Sequence, residues 1–92
     1  MQLHIRKDYD LDQLVKKWKF QKFVPKNKKG HPFVEDYTMT HYIYRPEHTD
    51  TYLYINIDRN VFIYCDYDTF NVDKIILEKL YDLIHEGIII KN

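Results

Sequence analysis

The chain predicts an α+β fold: an antiparallel sheet of about four strands, with one N-terminal and one C-terminal helix packed on one face. Three observations lead there. Apolar residues recur at helical spacing near each end of the chain, a block of period-two alternation fills the middle, and short apolar runs of strand length lie at both termini. The expected order is β-α-(β)-β-β-β-α-β, within one domain over residues 1–92, because so short a chain rarely divides its core.

Leu3 and Ile5 alternate with polar neighbours and predict a first strand over residues 2–6. The next stretch has acids at its start (Asp8, Asp10, Asp12) and Lys16 and Lys17 near its end, the order that complements a helix dipole. Leu11, Leu14, Val15 and Trp18 fall at i, i+3, i+4 and i+7, one stripe of an amphipathic helix over about residues 10–19. Phe20, Phe23 and Val24 suggest a short strand. Residues 25–32 hold two prolines, one glycine and three lysines and predict a loop.

From residue 36 to 67 the period becomes two. Tyr42-Ile43-Tyr44 reads as a strand that ends in a turn at Arg45-Pro46-Glu47-His48-Thr49-Asp50. Residues 52–57 and 61–67 read as a hairpin, closed by Asp58-Arg59-Asn60 with Asn60 in the left-handed conformation. Asn71 is placed to cap a second helix whose buried stripe is Val72, Ile76, Leu80, Leu83 and Ile84. Gly87 supplies its stop, and Ile88-Ile89-Ile90 follows as a buried strand.

Pairing Ile57 with Val61 sets Ile55 opposite Ile63, Leu53 opposite Cys65, and Tyr54 opposite Tyr64. The hairpin then has an aliphatic face and an aromatic one. If the preceding strand joins in phase, the second face presents Tyr42, Tyr44, Tyr52, Tyr54, Phe62 and Tyr64. Helices need an apolar surface, and the aliphatic face is the obvious one, which leaves the rings half-wet. An exposed apolar patch larger than about 300–600 Å² tends to bind something, and tyrosine suits such a surface because it joins an apolar body to a polar tip. Cross-strand aromatic pairs also stabilise a sheet by about 0.2–1 kcal/mol each, so rings on a strand have a purely structural use as well.

Composition narrows the function classes. The apolar and aromatic fractions, 45% and 16%, exclude a disordered chain. A single cysteine, Cys65, excludes an intramolecular disulfide framework. The N-terminus carries charge where a secretion signal needs an apolar core, and no run approaches the ~20 residues of a membrane span, so the expected location is the cytoplasm. Net charge is zero but uneven: nine Lys/Arg against three Asp over residues 1–30, five against eleven Asp/Glu beyond. That excludes a uniformly acidic or basic protein and allows a basic patch. The Ile-, Lys-, Asn- and Tyr-rich usage is similar to that of small proteins from AT-rich bacterial genomes and their phages.

Lys16, Lys17, Trp18, Lys19 and Lys22, continuing to Lys26, Lys28 and Lys29, interleave cations with rings, the combination that single-stranded nucleic acid needs for phosphate contact and base stacking. The plainer reading puts Trp18, Phe20 and Phe23 in the core and leaves the lysines to solvate the surface. Residues 80–91 look like the helix-to-wing passage of winged-helix DNA-binding domains, but the tight helix pair of those folds is missing upstream.

Cys65 with His31, His41, His48 and His85, and the acids Glu35, Asp36, Asp58, Asp66 and Asp68, are the raw material for a small hydrolase or transferase. No spacing of a metal site or nucleophile motif is present, Cys65 is expected to point into the aliphatic face, and the two glycines exclude a phosphate-cradling Gly-rich loop. No metal or other cofactor is expected. The sequence therefore points to a non-enzymatic binding module that engages a protein partner or a second copy of itself through the aromatic face. Single-stranded nucleic-acid binding is the alternative and a small hydrolase or transferase the third reading.

Overall fold

The computed structural model describes residues 2–24, 39–65 and 71–91. It is α+β, with elements in the order β1 (Leu3–Ile5), α1 (Asp12–Trp18), β2 (Gln21–Phe23), β3 (His41–Tyr44), β4 (Thr51–Asn56), β5 (Val61–Cys65), α2 (Lys74–His85) and β6 (Ile89–Lys91). Strands β2-β3-β4-β5 form a four-stranded antiparallel sheet, and β1 pairs antiparallel with β6. A bridge between His4 and Asn60 and a 2.8 Å hydrogen bond from the Ile5 amide to the Arg59 carbonyl bring β1 to the mouth of the β4–β5 hairpin. The basic stretch 25–32 and the acids Glu35, Asp36, Asp66 and Asp68 lie outside the described residues.

Helix α1 is shorter than its apolar stripe suggests. The Asp10 carboxylate accepts the Asp12 amide at 3.0 Å before the first turn, and Lys19 takes a left-handed φ of 66° that ends the helix. Leu11 and Leu14 are buried and Trp18 is half-buried, while Val15 turns outward. Helix α2 ends as expected: Gly87 sits at φ +73°, its amide bonds to the Ile84 carbonyl, and the Ile88 amide bonds to the Leu83 carbonyl, both at 3.0 Å. This is the Schellman arrangement, and its left-handed position favours glycine, which has no Cβ to strain.

The start of α2 differs from expectation. Asp73, not Asn71, is the N-cap residue, and its carboxylate makes no cap bond to its own helix. It accepts instead from the Asp50 amide (2.9 Å), the Thr51 amide (2.9 Å) and the Thr51 hydroxyl (2.6 Å), tying the helix to the first residue of β4. These bonds to the ionised form, the Thr51 hydroxyl foremost, hold the Asp73 carboxyl below the usual carboxylate range.

The β4–β5 hairpin forms, with its register two residues from the expected one. Ile55 pairs with Val61, Leu53 with Ile63, Tyr54 with Phe62 and Tyr52 with Tyr64. Two asparagines set it: the Asn56 amide donates to the Asn60 carbonyl (3.2 Å) and the Asn60 amide to the Asn56 side-chain oxygen (2.9 Å). Ile57 is thereby left in the loop and exposed, and Arg59 rather than Asn60 takes the left-handed position, φ 73°. The Arg59 guanidinium donates to the carbonyls of Arg6 and Tyr9, at 3.0 and 2.7 Å, which anchors the loop. A slip of two residues preserves pleat parity, so the aliphatic and aromatic sides of the hairpin stay separate.

Ile5, Leu11, Leu14, Phe20, Tyr42, Leu53, Ile55, Val61, Ile76, Leu83, Ile88 and Ile89 form one buried cluster, with side chains from both helices joining those of β3, β4 and β5. The aliphatic side of β5 beyond Val61 emerges from it: Ile63 and Cys65 are exposed, so the expected burial of Cys65 is corrected. Ile84, expected in the buried stripe of α2, is likewise exposed. No described helix is long and apolar enough to cross a membrane.

Candidate functional site

In β4 the pleat sends Thr51, Leu53 and Ile55 to one side, where all three are buried, and Tyr52, Tyr54 and Asn56 to the other, where all three are half-buried. Strand β5 adds Phe62 and Tyr64 to the second side through the pairs Tyr54–Phe62 and Tyr52–Tyr64. Strand β3 joins out of phase. It pairs Tyr42 with Ile55 and Tyr44 with Leu53, so these two tyrosines stand on the aliphatic side, and His41 and Ile43 stand on the aromatic side opposite Asn56 and Tyr54.

Tyr42 and Tyr44 are thus corrected out of the expected aromatic surface. Tyr42 is 3% exposed within the core and Tyr44 packs against it. Burial pushes both phenols above their ordinary range, and Glu78 adds to the rise at Tyr44. The connection 45–50 decides the phase: His48 takes φ 63° and the Thr49 hydroxyl donates to the Pro46 carbonyl at 2.8 Å.

The same pairing brings in residues that sequence reasoning missed. Strand β2 pairs Phe23 with His41, and their rings stack at 5.2 Å and 11°. His41 stacks in turn on Tyr54 at 5.1 Å, and its Nδ1 hydrogen-bonds the Met39 carbonyl at 3.0 Å. Tyr54 meets Tyr64 at 5.2 Å and Phe62 at 6.1 Å. Phe62 and Tyr64 stack nearly parallel (4°, 5.8 Å), Tyr52 meets Tyr64 edge-on at 5.8 Å, and the Arg45 guanidinium sits 4.9 Å over the Tyr52 ring. A chain of rings thus runs across all four strands, from exposed Phe23 at one edge to exposed Tyr64 at the other. The available sequence signal for Phe23 and His41 was parity along β2 and β3, which has no meaning until the register is known.

Of the lysine-rich alternative, Trp18 and Lys22 pack away from these rings. The Trp18 indole donates to the Tyr9 hydroxyl at 3.2 Å and lies under Lys79, whose ammonium is 5.4 Å from the Trp18 ring and 4.6 Å from Tyr44. Lys79 also donates to the Trp18 carbonyl at 3.2 Å. Burial, helped by the neighbouring charge of Lys19, lowers its pKa. Lys22 pairs with Asp12 at 3.0 Å and leans over Tyr42, on the aliphatic side. Lys16 and Lys17 stand exposed in the last turn of α1, and Lys19 is exposed just beyond it. Lys26, Lys28 and Lys29 lie outside the described residues.

The described members of the Cys65/His/Asp set are scattered as well. Cys65 and His41 are on opposite sides of the sheet, His48 is in the β3–β4 connection, and His85 stacks on Tyr81 in α2. Among the described residues no group of three His, Cys, Asp or Glu side chains could hold a metal ion. No protein family matches the chain, and no curated protein or solved structure matches it either.

Proposed function

We propose that the chain is a non-enzymatic binding module that engages a protein, another one or a second copy, through the aromatic side of its four-stranded sheet, with both helices on the opposite side. The observation that carries this reading is the ring chain Phe23–His41–Tyr54–Phe62/Tyr64–Tyr52, which spans every strand of the sheet and keeps Phe23 and Tyr64 exposed. Placing the helices opposite rests on the shared core cluster, which joins helical side chains to Tyr42, Leu53, Ile55 and Val61.

Ring orientation favours a protein over a nucleic acid. Base stacking needs open ring faces. Here Phe23, His41 and Tyr54 stack face to face, as do Phe62 and Tyr64, so many of the faces are turned toward one another. Rings stacked on one another are less open to a base, while tyrosine joins apolar contact to hydrogen bonding, as in the aromatic-rich centres of protein interfaces. Arg45 over Tyr52 adds one cation beside the rings.

The test is the double substitution Tyr54→Ser with Tyr64→Ser, read by affinity capture and by solution mass, with circular dichroism as the control for folding. Loss of the captured protein from a folded variant is the expected result. Unfolding of the variant would place these rings in the core and sink the reading. So would tight binding of a single-stranded oligonucleotide that falls steeply with salt.

A further inference from the structure

Strands β3 and β4 lie inside the four-stranded sheet, so their main-chain amides and carbonyls are paired in its plane. The ring side therefore offers side chains only, and an extended strand could add a ladder only at an edge of the sheet. Gln21, Ile43 and Asn56 alternate onto this side with the rings, Asn60 stands opposite Asn56, and Arg45 reaches over Tyr52. Among the described strand residues of this side there is no carboxylate and no lysine, and Arg45 just beyond β3 brings the one permanent charge.

The hydrogen-bonding groups lean toward donors. The Asn56 side-chain oxygen is taken by the Asn60 amide at 2.9 Å, which leaves the Asn56 Nδ2 with its protons to donate. The Arg45 guanidinium, 4.9 Å over the Tyr52 ring, is a donor only, and the hydroxyls of Tyr52 and Tyr64 can each donate once more. Ring geometry adds a second constraint. Tyr52 meets Tyr64 at 60°, while Tyr54 meets Tyr64 at 56° and Phe62 at 52°. Rings inclined at such angles enclose wedges, which a puckered saturated ring fills better than a flat base does.

On the reading of this side as a protein-binding surface, and resting on it, we propose that the partner is a proline-rich segment of another protein in the polyproline II conformation. Such a segment carries a carbonyl at every residue, none bonded internally, and its prolines have no amide, so its backbone offers acceptors almost alone. Its pyrrolidine rings are the saturated bodies that fit between inclined aromatic rings, and aromatic-lined surfaces take it in general. An α-helix matches the donors less well, because its carbonyls are spent on its own amides. The proline-rich segment also holds its shape when free, so docking costs little ordering entropy. The chain's own three prolines, Pro25, Pro32 and Pro46, are too widely spaced to form one, so the occupant is a different protein rather than a second copy.

Decaproline is the probe. Added to the isotope-labelled chain up to about 1 mM, it should shift the amide resonances of residues 52–54 and 62–64 saturably. The dissociation constant is expected on the order of 100 µM, because a short segment buries less than the ~1,200 Å² at which specific interfaces begin. A Gly-Ser peptide of equal length, flexible and without rings, should leave the resonances unmoved. Tyr54→Ser with Tyr64→Ser should abolish the shifts. Tyr52→Phe with Tyr64→Phe keeps every ring, removes two donors, and should weaken binding about tenfold. This second variant disturbs no packing, so it reads the hydroxyls even where the serine variant is unstable.

An absence of shifts at about 1 mM would overturn the proposal. So would an equal response to the Gly-Ser peptide, shifts confined to the helical side, or an affinity indifferent to Tyr52→Phe with Tyr64→Phe. The broader reading fails on other grounds. Silence toward decaproline, with a captured protein or self-assembly still lost in folded Tyr54→Ser, Tyr64→Ser, would overturn the proline-rich partner and keep the ring side as a protein surface of another kind.

Discussion

Tyr42 and Tyr64 are both strand tyrosines at even-numbered positions, and their sides of the sheet predict opposite fates on truncation. Tyr42 is 3% exposed, within the cluster that holds Leu53 and Ile55. Truncating a large buried ring to alanine costs about 3–5 kcal/mol, from lost transfer energy plus the cavity that remains. A domain of this size has about 5–14 kcal/mol of stability in all, so Tyr42→Ala should remove about a fifth of it or more. Its Tm should fall by about 15–30 °C. Tyr64 is 41% exposed, and its ring contacts are those with Tyr52, Tyr54 and Phe62. At roughly 0.2–1 kcal/mol per cross-strand pair, Tyr64→Ala should cost about 1–2 kcal/mol and no more than about 10 °C. Thermal unfolding followed by circular dichroism, with urea titration as a check, measures both. Equal losses for the two variants would refute the face assignment, because they would put Tyr64 in a core of its own.

Two further outcomes follow from particular contacts. The depressed Asp73 carboxyl contributes stability that is present above its unfolded value of about 3.8 and is lost as pH falls through its lower folded value. Asp73→Asn should therefore flatten the acid limb of a stability-against-pH curve, measured by urea titration between about pH 2 and 6; an unchanged limb would show that the Thr51 contact is not formed in solution. Gly87→Ala places a Cβ at φ +73°, where the nearest atom is Arg6 Nη1 at 3.7 Å, so space is adequate and the cost is backbone strain alone. The loss should be about 1–2 kcal/mol, read as a shift in urea midpoint, and Gly87→Asn should lose less because asparagine tolerates the left-handed region.

How much of this was legible beforehand varies by element. Both helices, the hairpin and the terminal strands could be read, because each rests on a local period or a local stop such as Gly87. The separation of Leu53 and Ile55 from Tyr52 and Tyr54 could also be read, and it survived a two-residue error in register, because pleat parity repeats every two residues. Asn56 and Asn60 set the true register through side-chain and backbone bonds that no hydrophobic pattern encodes.

The ring surface itself was half legible. Tyr52, Tyr54, Phe62 and Tyr64 follow from one hairpin, where parity is fixed by a tight loop. Tyr42 and Tyr44 moved to the core, and Phe23 and His41 joined the rings, because β3 enters across the longer 45–50 connection, whose backbone sets the phase between two strands. The sequence alone determined which residues alternate and where helices stop, since those preferences act over a few residues along the chain. Only the tertiary structure decided which alternating set from each strand shares a side, because that depends on how separate strands register, and no local preference carries it across a turn.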